Sequence, residues 1–490
     1  MAKRVAVIDI GSNSVRMVVY EKTSRFAFHM LHEAKSKVRI SEDAYMHDNN
    51  LQEIPMQRTL EALKDFLSIS SSFKVRKILC VATSALRDAP NKKVFLNRVK
   101  KELQLSIKVI DGKREAYLGA IACTNLLPTQ EKALSIDIGG GSTEFTLIND
   151  KDIKYTLSLK LGTVRLKELF FDKGRVDDAI EYIDSELKKL GDIDVSTLIG
   201  IGGTFRAVSN AIMGMQDYPL DKLHAYEYSS DVFLKFISQV LSSDEIQLKK
   251  LGIKSERFDV IKPGVLILER VLQKTDIKRL LTSGVGVREG VYLGDLLRNS
   301  KDRFPANYNT SVRYLLDSHV VDNSFSNQLN TLAKQLFDIT HKYFGIDKVY
   351  RLEFTTAAKL YPTGSSIHFY SKHKHSYYLI QNALEYGFTH HQIMLIATLV
   401  RYAKRKLPSP EHVQKYKVLL PKKETLNTLS YLLSLSIALL SHRPRNIDFK
   451  IDFEDGVLNI KSNNTLYLSQ EAVKKLDTVS EFNIKFSQTL

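Results

Sequence analysis

Two short segments of the chain share the run Ile-Asp-Ile-Gly and a serine five residues after the aspartate, and both carry residue types that bind phosphate. Residues 7–16 read Val-Ile-Asp-Ile-Gly-Ser-Asn-Ser-Val-Arg, and residues 135–144 read Ser-Ile-Asp-Ile-Gly-Gly-Gly-Ser-Thr-Glu. Each predicts a β-hairpin in which an apolar strand carries an aspartate, Asp9 or Asp137, just before a turn rich in Gly, Ser and Asn. The N–H groups of such a turn converge on a site that favours an anion, and the aspartate can hold a cation or a water. Because the hairpin occurs twice, the sequence predicts two related domains that bind a phosphate chain from both sides of a cleft.

The candidate phosphate ligands lie in these two turns and in a third, glycine-containing loop. The third loop follows a predicted buried strand and precedes a predicted helix, whose N-terminal amides and dipole favour an anion. The candidates are Gly11, Ser12, Asn13, Ser14, Gly139, Gly140, Gly141, Ser142, Gly202, Gly203 and Thr204.

The two hairpins differ seven residues after each aspartate, where the first has Arg16 and the second has Glu144. This charge pair suits a metal–phosphate site, in which Arg16 neutralises phosphate oxygens while Asp137 and Glu144 hold Mg²⁺. Asp9 is a further candidate metal ligand. The alternative for Arg16 and for Glu144 is an exposed strand position with no chemical role.

Arg87 and Glu115 could belong to the phosphate site, but their local sequence also fits ordinary surface residues. Arg87 follows a strand in a turn of small residues, where it could reach a phosphate or lie on the surface. Glu115 falls in the first turn of a predicted helix, and local physics alone makes it a surface residue that compensates the helix dipole.

The elements that must position these residues fall into three predicted domains. Strands and helices alternate through residues 1–123 and again through 124–299, which predicts two α/β domains with largely parallel cores. Residues 300–490 are helical and poor in glycine, which predicts a mainly α domain. Its end carries three predicted short strands at 449–453, 457–460 and 465–468.

The charge of the chain indicates an anionic partner. There are 71 Lys and Arg residues against 55 Asp and Glu, a net charge of +16, and such a bias concerns partners rather than fold. The segment 372–423 has two acids only and predicts a groove for a polyanion, the alternative being a solvated basic face. Nucleic acid is not expected, since the chain has no zinc-finger spacing, no aromatic RNA-binding strand motif and no Trp. The basic residues of the segment are Lys372, Lys374, Arg401, Lys404, Arg405, Lys406, Lys415, Lys417, Lys422 and Lys423.

Cysteine content and hydropathy predict a cytoplasmic protein without a membrane anchor. Cys80 and Cys123 lie in apolar contexts and are expected to be small core residues rather than disulfide partners or metal ligands. The longest apolar run, near 431–440, is too short and too rich in serine to span a bilayer, and no signal peptide is recognised.

Six motifs, in order, resemble those of the Ppx/GppA family of exopolyphosphatases and guanosine pentaphosphate phosphohydrolases. The resemblance implies an α/β fold of duplicated actin-like, sugar-kinase-like (ribonuclease H-like) domains around a cleft, with a mainly α, HD-like C-terminal domain. It also implies Mg²⁺-dependent release of the terminal phosphate of polyphosphate, or of the 5′-terminal phosphate of pppGpp, by in-line attack of water. The motifs are Asp9-Ile-Gly-Ser-Asn-Ser, Ala82-Thr-Ser-Ala-Leu-Arg, Gly112-Lys-Arg-Glu-Ala, Asp137-Ile-Gly-Gly-Gly-Ser-Thr-Glu, Gly202-Gly-Thr and Gly286-Val-Arg-Glu-Gly.

The resemblance implies a role for each matched position. Glu115 matches the glutamate proposed as the general base, although the family often has a second glutamate where this chain has Arg114. The other matched residues are Asp137 and Glu144 for the metal, Arg87 and the glycine turns for phosphate, and Arg16 and Arg288 for guiding a nucleotide substrate.

The third domain departs from the HD pattern. Tyr361 and Pro362 stand where an HD site needs adjacent His and Asp ligands. We therefore expect a scaffold for polyanion binding or for a homodimer rather than a second active site.

Two other functions remain open from the sequence. One is a kinase or ATPase on the same fold, although no Asp base for an acceptor is identified. The other is a non-enzymatic sensor that binds polyphosphate, pppGpp or ppGpp, which would keep the glycine turns but lose the base or the metal-binding acids. The choice between polyphosphate and pppGpp as substrate is also open.

Overall fold

The computed structural model describes residues 3–404, 406–477, 479 and 483–488. The chain divides into two compact units, Met1–Tyr308 and Asn309–Leu490. The division lies nine residues beyond the boundary predicted at 299/300.

The first unit begins with a five-stranded sheet. In the order β3-β2-β1-β4-β5, the first three strands are antiparallel, whereas β1, β4 and β5 are parallel. Its strands are β1 (Arg4–Ile10), β2 (Val15–Lys22), β3 (Phe28–Ser36), β4 (Lys77–Ala82) and β5 (Lys108–Val109). Its helices are α1 (Glu53–Ser72), α2 (Ser84–Asp88), α3 (Lys92–Leu103) and α4 (Gly112–Leu126).

A six-stranded sheet follows in the same unit and repeats this topology. Its order is β10-β11-β9-β6-β7-β8, so β8-β7-β6-β9-β11 corresponds strand for strand to the first sheet. Its strands are β6 (Gln130–Ile138), β7 (Thr143–Asp150), β8 (Asp152–Leu159), β9 (Thr197–Ile201), β10 (Glu227–Ser229) and β11 (Arg279–Thr282). Its helices are α5 (Thr163–Leu169), α6 (Val176–Leu187), α7 (Gly202–Met215), α8 (Ser230–Ser242), α9 (Glu245–Lys250), α10 (Phe258–Lys274) and α11 (Val287–Leu296).

The two predicted hairpins occupy equivalent places in the two sheets. The β1–β2 pair sets Asp9 opposite Arg16, and the β6–β7 pair sets Asp137 opposite Glu144. Both aspartates lie one residue before the end of the strand that pairs with a parallel neighbour on its other side. The predicted duplication of the hairpin is therefore confirmed in both topology and register.

The cores of the two sheets follow from the pattern of apolar residues. Every residue of β9 is buried, as expected for a parallel strand covered on both faces. Cys80 and Cys123 are buried and free, which confirms the prediction that they are core residues. Helix α4 connects the two sheets and continues across the boundary predicted at 123/124.

The second unit is mainly helical, as predicted. Its helices are α12 (Thr310–His319), α13 (Ser324–Thr340), α14 (Arg351–Leu360), α15 (Lys372–Ala383), α16 (His390–Tyr402), α17 (Pro410–Lys415), α18 (Lys423–Leu439) and α19 (Tyr467–Val473). A three-stranded sheet completes it, with β12 (Phe449–Glu454), β13 (Val457–Ser462) and β14 (Asn483–Gln488) in that order.

The strand predicted at 465–468 is wrong. Leu466 has a positive φ of 50° and precedes α19, which starts at Tyr467. The third strand is instead β14, which pairs parallel to β13. Four residues are too few for an apolar pattern to distinguish a strand from a helix start.

The basic segment 372–423 runs from α15 to the start of α18. Three of its cations lie over aromatic rings of the same unit. Lys372 Nζ is 5.1 Å from the ring centre of Tyr361, Arg401 Cζ is 4.7 Å from that of Tyr377, and Lys415 Nζ is 5.2 Å from that of Tyr416. Arg405 lies outside the described residues. None of the helices formed by the described residues has the length and apolar character needed to cross a lipid bilayer.

Candidate active site

The turns of the two hairpins have the same internal geometry. In the first turn the Gly11 N–H donates a hydrogen bond to the carbonyl of Ser14 at 3.2 Å, and in the second the Gly139 N–H donates to that of Ser142 at 2.9 Å. The same bond therefore closes both turns. The local sequence after each aspartate determines this conformation, because Gly, Ser and Asn tolerate tight turns.

The two turns lie directly against each other. A Cβ atom added at Gly140 would stand 2.8 Å from the Cβ of Ser12 and 3.5 Å from the backbone nitrogen of Asn13. Since real contacts of this kind are longer, a side chain at Gly140 would force the two hairpins apart. The absence of a side chain at this position allows the two sheets to share one site.

A cavity of about 220 Å³ opens at this junction. The predicted residues that line it are Asp9, Gly11, Ser12, Asn13, Ser14, Arg16, Glu115, Asp137, Gly139, Gly140, Gly202, Gly203, Thr204 and Arg288. Four predicted residues are not part of its lining: Arg87, Gly141, Ser142 and Glu144. Most of the predicted site therefore forms one cavity, with the other four residues behind it.

The loop at Gly202 brings the start of α7 to the second aspartate. Gly202 has a φ of +89°, and a Cβ there would stand 2.7 Å from Oδ1 of Asp137. Both observations require glycine, because other residues rarely adopt this φ and a side chain would collide with the carboxylate. Gly202, Gly203 and Thr204, which open α7, line the cavity, and a helix N-terminus favours an anion.

Glu115 is buried, although it lies in the first turn of α4. Its exposed fraction is 8%, so the interpretation as a dipole-compensating surface residue is wrong. Arg87, in the short helix α2, donates from Nη1 to its Oε2 at 2.8 Å and from Nη2 to Oγ of Ser142 at 3.1 Å. Arg87 therefore ties the Glu115 carboxylate to the second turn.

Burial raises the pKa of Glu115 well above its usual value. The negative charge of Glu144 raises this pKa further, whereas the charge of Arg87 and its hydrogen bond lower it. The result is a carboxylate that accepts a proton more readily than an exposed glutamate, as a general base requires.

Glu144 lies behind the cavity rather than in its wall. Ser158 Oγ donates a hydrogen bond to its Oε1 at 2.7 Å, and Arg87 Nη2 is 3.9 Å from the same atom. Burial raises its pKa to about 7. Its 3% exposure shows that the alternative of an exposed strand position is wrong for this residue.

The side-chain carboxylates of Asp9 and Asp137 have no hydrogen-bond partner within the described part of the chain. Burial raises the pKa of both, that of Asp137 to about 6. The side-chain oxygen Oδ1 of Asn13, at the same cavity, is also buried without a partner. Three side chains at one site thus carry oxygen atoms that have no hydrogen-bond partner in the described part of the protein.

These donors fit Mg²⁺. This ion usually takes one or two protein carboxylates and fills its other positions with water and phosphate oxygens. Across the described residues, no group of three or more His, Cys, Asp and Glu side chains could hold a metal. Two carboxylates are too few to hold a metal ion whose ligands all come from the protein. Asp9 and Asp137 instead suit a hard cation that arrives together with the phosphate.

The structure adds cationic residues that the motifs did not reveal. Arg206, on α7, donates to the carbonyls of Ser283 and Val285 at 2.7 and 3.0 Å. It follows Gly202 by four residues, which is one helical turn, so the loop motif could have indicated it. The further lining cations are Lys35, Lys37 and Arg257, for which no local pattern gives a signal.

Arg288 is held at the wall of the cavity by an acid of the first sheet. Its Nη1 donates to Oε1 of Glu33 at 2.5 Å, and this pair joins α11 to β3. The next residue, Glu289, accepts from the hydroxyl of Tyr20 at 2.6 Å and from the Gly286 N–H at 2.7 Å. These bonds connect both sheets around the cavity.

Two related α/β domains around a cavity of glycine turns, cations and buried carboxylates define the actin-like class of proteins. The chain belongs to the Ppx/GppA phosphatase family: the model of that family matches residues 18–299, and the model of Ppx/GppA phosphatase domain III matches residues 308–487. The predicted family and fold class are thereby confirmed, and the family supports a phosphohydrolase activity.

Two curated proteins are similar in sequence. A bifunctional 3-dehydroquinate synthase/phosphatase of Fusobacterium nucleatum is 32% identical over 287 residues, which are 54% of this chain and 43% of that protein. This chain therefore spans less than half the length of that relative. A guanosine-5′-triphosphate,3′-diphosphate pyrophosphatase of Vibrio parahaemolyticus is 28% identical over 82% of this chain and 81% of its own length.

Two solved structures share the fold. The Ppx/GppA family member of Aquifex aeolicus is 29% identical with a TM-score of 0.53 and covers 61% of this chain and 99% of its own. An exopolyphosphatase from Cytophaga hutchinsonii is 27% identical with a TM-score of 0.56 and covers 61% of this chain and all of its own.

Proposed function

We propose that this protein is a Mg²⁺-dependent phosphohydrolase that releases the terminal phosphate of inorganic polyphosphate or the 5′-terminal phosphate of pppGpp. Membership of the Ppx/GppA family supports phosphate hydrolysis. The observation that carries the proposal is the position of Glu115, a buried carboxylate of raised pKa that lines the same cavity as both glycine turns.

In this proposal Glu115 orients a water molecule and accepts its proton as the water attacks the terminal phosphorus. The Arg87 hydrogen bond fixes the direction of the carboxylate. Phosphoryl transfer passes through a loose transition state, so positioning and charge neutralisation supply most of the acceleration. General base catalysis contributes on the order of 10²–10⁴-fold.

The backbone N–H groups of the turns at Gly11 and Gly139, and those at the start of α7, donate to the oxygens of the phosphate. Arg206 and Arg288 add positive charge from fixed positions. Asp9 and Asp137 are the residues that would hold Mg²⁺. When bound, this ion neutralises the charge that develops on the phosphate oxygens.

The names of the relatives support both substrates. The protein of V. parahaemolyticus acts, by its name, on the guanosine pentaphosphate, and the C. hutchinsonii structure is named an exopolyphosphatase. The basic segment 372–423 favours a long polyanion, and Arg16 is compatible with a nucleotide. The presence of Glu115 and both aspartates at one cavity supports a hydrolase over a sensor.

The test is phosphate release from long-chain polyphosphate and from pppGpp, each with Mg²⁺, by the wild-type protein and by Glu115→Gln. We expect release from at least one substrate, with kcat of the variant lower by on the order of 10²–10⁴-fold and KM little changed. Glu181→Gln, at an exposed position of α6, is the matched control and should keep full activity.

Equilibrium binding of polyphosphate and pppGpp to the wild-type protein and to Glu115→Gln, measured beside phosphate release, distinguishes a hydrolase from a sensor. Tight binding to a wild-type protein that releases no phosphate would contradict the hydrolase and favour the sensor. Transfer of phosphate from ATP to an acceptor instead of water would favour the kinase. The homodimer stays a prediction, which light scattering of the purified protein would test.

A further inference from the structure

A second cavity, of about 370 Å³, lies at one edge of the first sheet. Strand β5 pairs only with Val81 and Ala82 of β4, so within the described part of the chain no strand lies beside residues 77–80 on that edge. Residues 78–81 of β4 form one wall of the cavity, and α4, α11 and the segment around β5 form the others. We call it the edge cavity. None of its described lining residues belongs to the lining of the candidate active site.

The walls of the edge cavity are mainly apolar. Val81, Ile110 and Leu118 are buried, whereas Leu79 and Val291 are partly exposed. Binding sites for small molecules typically have volumes of about 300–1,000 Å³ and apolar walls with a few polar groups. The edge cavity has this character, and a ligand with an apolar body would remove its exposed apolar surface from water.

Lys108 and Arg114 supply two positive charges at the edge cavity. Both are exposed, and neither forms an ion pair or a side-chain hydrogen bond with any residue that the structure describes. The Cζ atom of Arg114 lies 5.1 Å from the ring centre of Tyr117, which holds the guanidinium beside the cavity. One acid, Asp295, also lines the cavity, but it pairs with Lys77. The charge at the cavity therefore favours an anionic ligand.

The two helices that line the edge cavity also carry residues of the candidate active site. On α4, Arg114 lines the edge cavity, and the next residue, Glu115, lines the active-site cavity. On α11, Val291 lines the edge cavity, and Arg288 lines the active-site cavity. Each helix therefore has one end of a possible connection between the two cavities.

Helices α4 and α11 are in close backbone contact. A Cβ atom at Gly290 of α11 would stand 1.9 Å from the carbonyl oxygen of Leu118 of α4. Leu118 itself lines the edge cavity, so a ligand there lies against the contact between the two helices. Closely packed elements transmit strain, and this contact connects the edge cavity to the active site.

We propose that the edge cavity is an effector site for a small amphipathic anion, whose apolar body fills the cavity while its anionic group lies at Lys108 and Arg114. The bound anion draws Arg114 toward itself and displaces the neighbouring Glu115, so it lowers kcat. The binding site stands on the cavity and its charges alone, whereas the effect on kcat rests on the proposed function.

The binding test uses two fluorescent probes that differ in charge, the anionic anilinonaphthalene sulfonate and the neutral N-phenylnaphthylamine, which lacks the sulfonate. We expect Arg114→Ala to weaken binding of the anionic probe about tenfold, the lower end for a hydrogen bond to a charged group, and to leave binding of the neutral probe within about twofold. Lys113→Ala, an exposed cation of α4 outside the lining, is the control and should change neither.

A variant of α11 fills the edge cavity and leaves its charges in place. At Gly294 an added Cβ atom would have Leu118 Cδ2 as its nearest neighbour, at 3.9 Å, which is an ordinary contact. Gly294→Leu therefore extends a side chain into the cavity and should abolish binding of both probes. Arg114→Lys should recover part of the affinity for the anionic probe, which a purely structural role of the arginine would not predict. Thermal unfolding of each variant shows whether the fold is intact.

The effect on the reaction is measured as phosphate release with and without saturating anilinonaphthalene sulfonate. We expect the probe to lower kcat about twofold or more, since a misplacement of about 1 Å at a reacting group can cost about 100-fold. KM should change little. Phosphate release by Gly294→Leu should be insensitive to the probe, because its edge cavity is filled.

If Arg114→Ala changes the affinity for both probes equally, or for neither, the anion site is overturned. Unchanged probe binding in a folded Gly294→Leu protein would overturn the cavity as the place of binding. Binding to the edge cavity that leaves kcat unchanged would overturn its role as an effector site. If the wild-type protein binds the probe but releases no phosphate, the proposed hydrolase fails while the binding comparison still decides the site.

Discussion

The guanidinium of Arg87 donates a hydrogen bond to the carboxylate of Glu115 at 2.8 Å. The two residues are 28 positions apart in the chain, on α2 and α4. This bond determines where the carboxylate points, and the positive charge partly offsets the burial that raises its pKa. The orientation and the proton affinity of the candidate base thus depend on the same side chain.

Arg87→Gln should shift the pH dependence of phosphate release. Arg87 lowers the pKa of Glu115, so its removal raises that pKa further above the usual glutamate value. A general base acts only when ionised, and therefore the acid limb of the kcat profile should move to higher pH, with a greater loss at pH 6 than at pH 9. The pH profiles of the variant and of Arg175→Gln, an exposed control, measure the shift. Two superimposable acid limbs would contradict the role of Arg87.

Asp137→Asn should raise the Mg²⁺ concentration needed for half-maximal activity by tenfold or more. The substitution removes one of the two unpartnered carboxylates at the cavity, and an amide is a much weaker ligand for a hard cation. Chelation with EDTA should abolish phosphate release from the wild-type protein, and added Mg²⁺ should restore it. Titration of activity against Mg²⁺ provides the measurement. An unchanged Mg²⁺ requirement would contradict the proposal that Asp137 holds the metal.

Gly140→Ala should destabilise the first unit by about 1–3 kcal/mol, the usual cost of overpacking. The new methyl group would collide with Ser12 of the opposite turn, so activity should fall as well. Gly214→Ala provides the control, because a Cβ there has no atom within 4 Å and alanine stabilises a helix by about 0.5–1 kcal/mol relative to glycine. Thermal unfolding compares the two, and equal stability of both variants would contradict the close approach of the turns.

Tyr20→Phe should lower the free energy of unfolding by about 1.5–3 kcal/mol, the range for a buried hydrogen bond to a charged group. It removes the hydroxyl that donates to Glu289 at 2.6 Å. Tyr182→Phe removes a hydroxyl that donates at an exposed site and should change stability by less than about 0.5 kcal/mol. Chemical denaturation of both variants tests the difference. If Tyr20→Phe lowered the free energy of unfolding no more than Tyr182→Phe does, the hydrogen bond from Tyr20 to Glu289 would not contribute to stability.

The sequence by itself determined the duplicated hairpins and much of the cavity wall. The conformation of a turn and the alternation of a strand depend on neighbouring residues, so two copies of Ile-Asp-Ile-Gly were enough to predict the paired strands and their aspartates. The linked motifs likewise identified the family. Where the local pattern was short, as at 465–468, the prediction was wrong because the true partner of β13 lies further along the chain, at Asn483–Gln488.

Only the tertiary structure decided which side chains are buried, paired or unpaired. Glu115 has the local sequence of a surface residue, and its burial depends on Arg87 and on the second sheet. Arg257 belongs to no motif; contacts with Lys37 across the cleft and with Gly203 fix its segment and its guanidinium. Burial and long-range electrostatics arise from elements far apart in the chain, and they set the charge state and the direction of each group in the site.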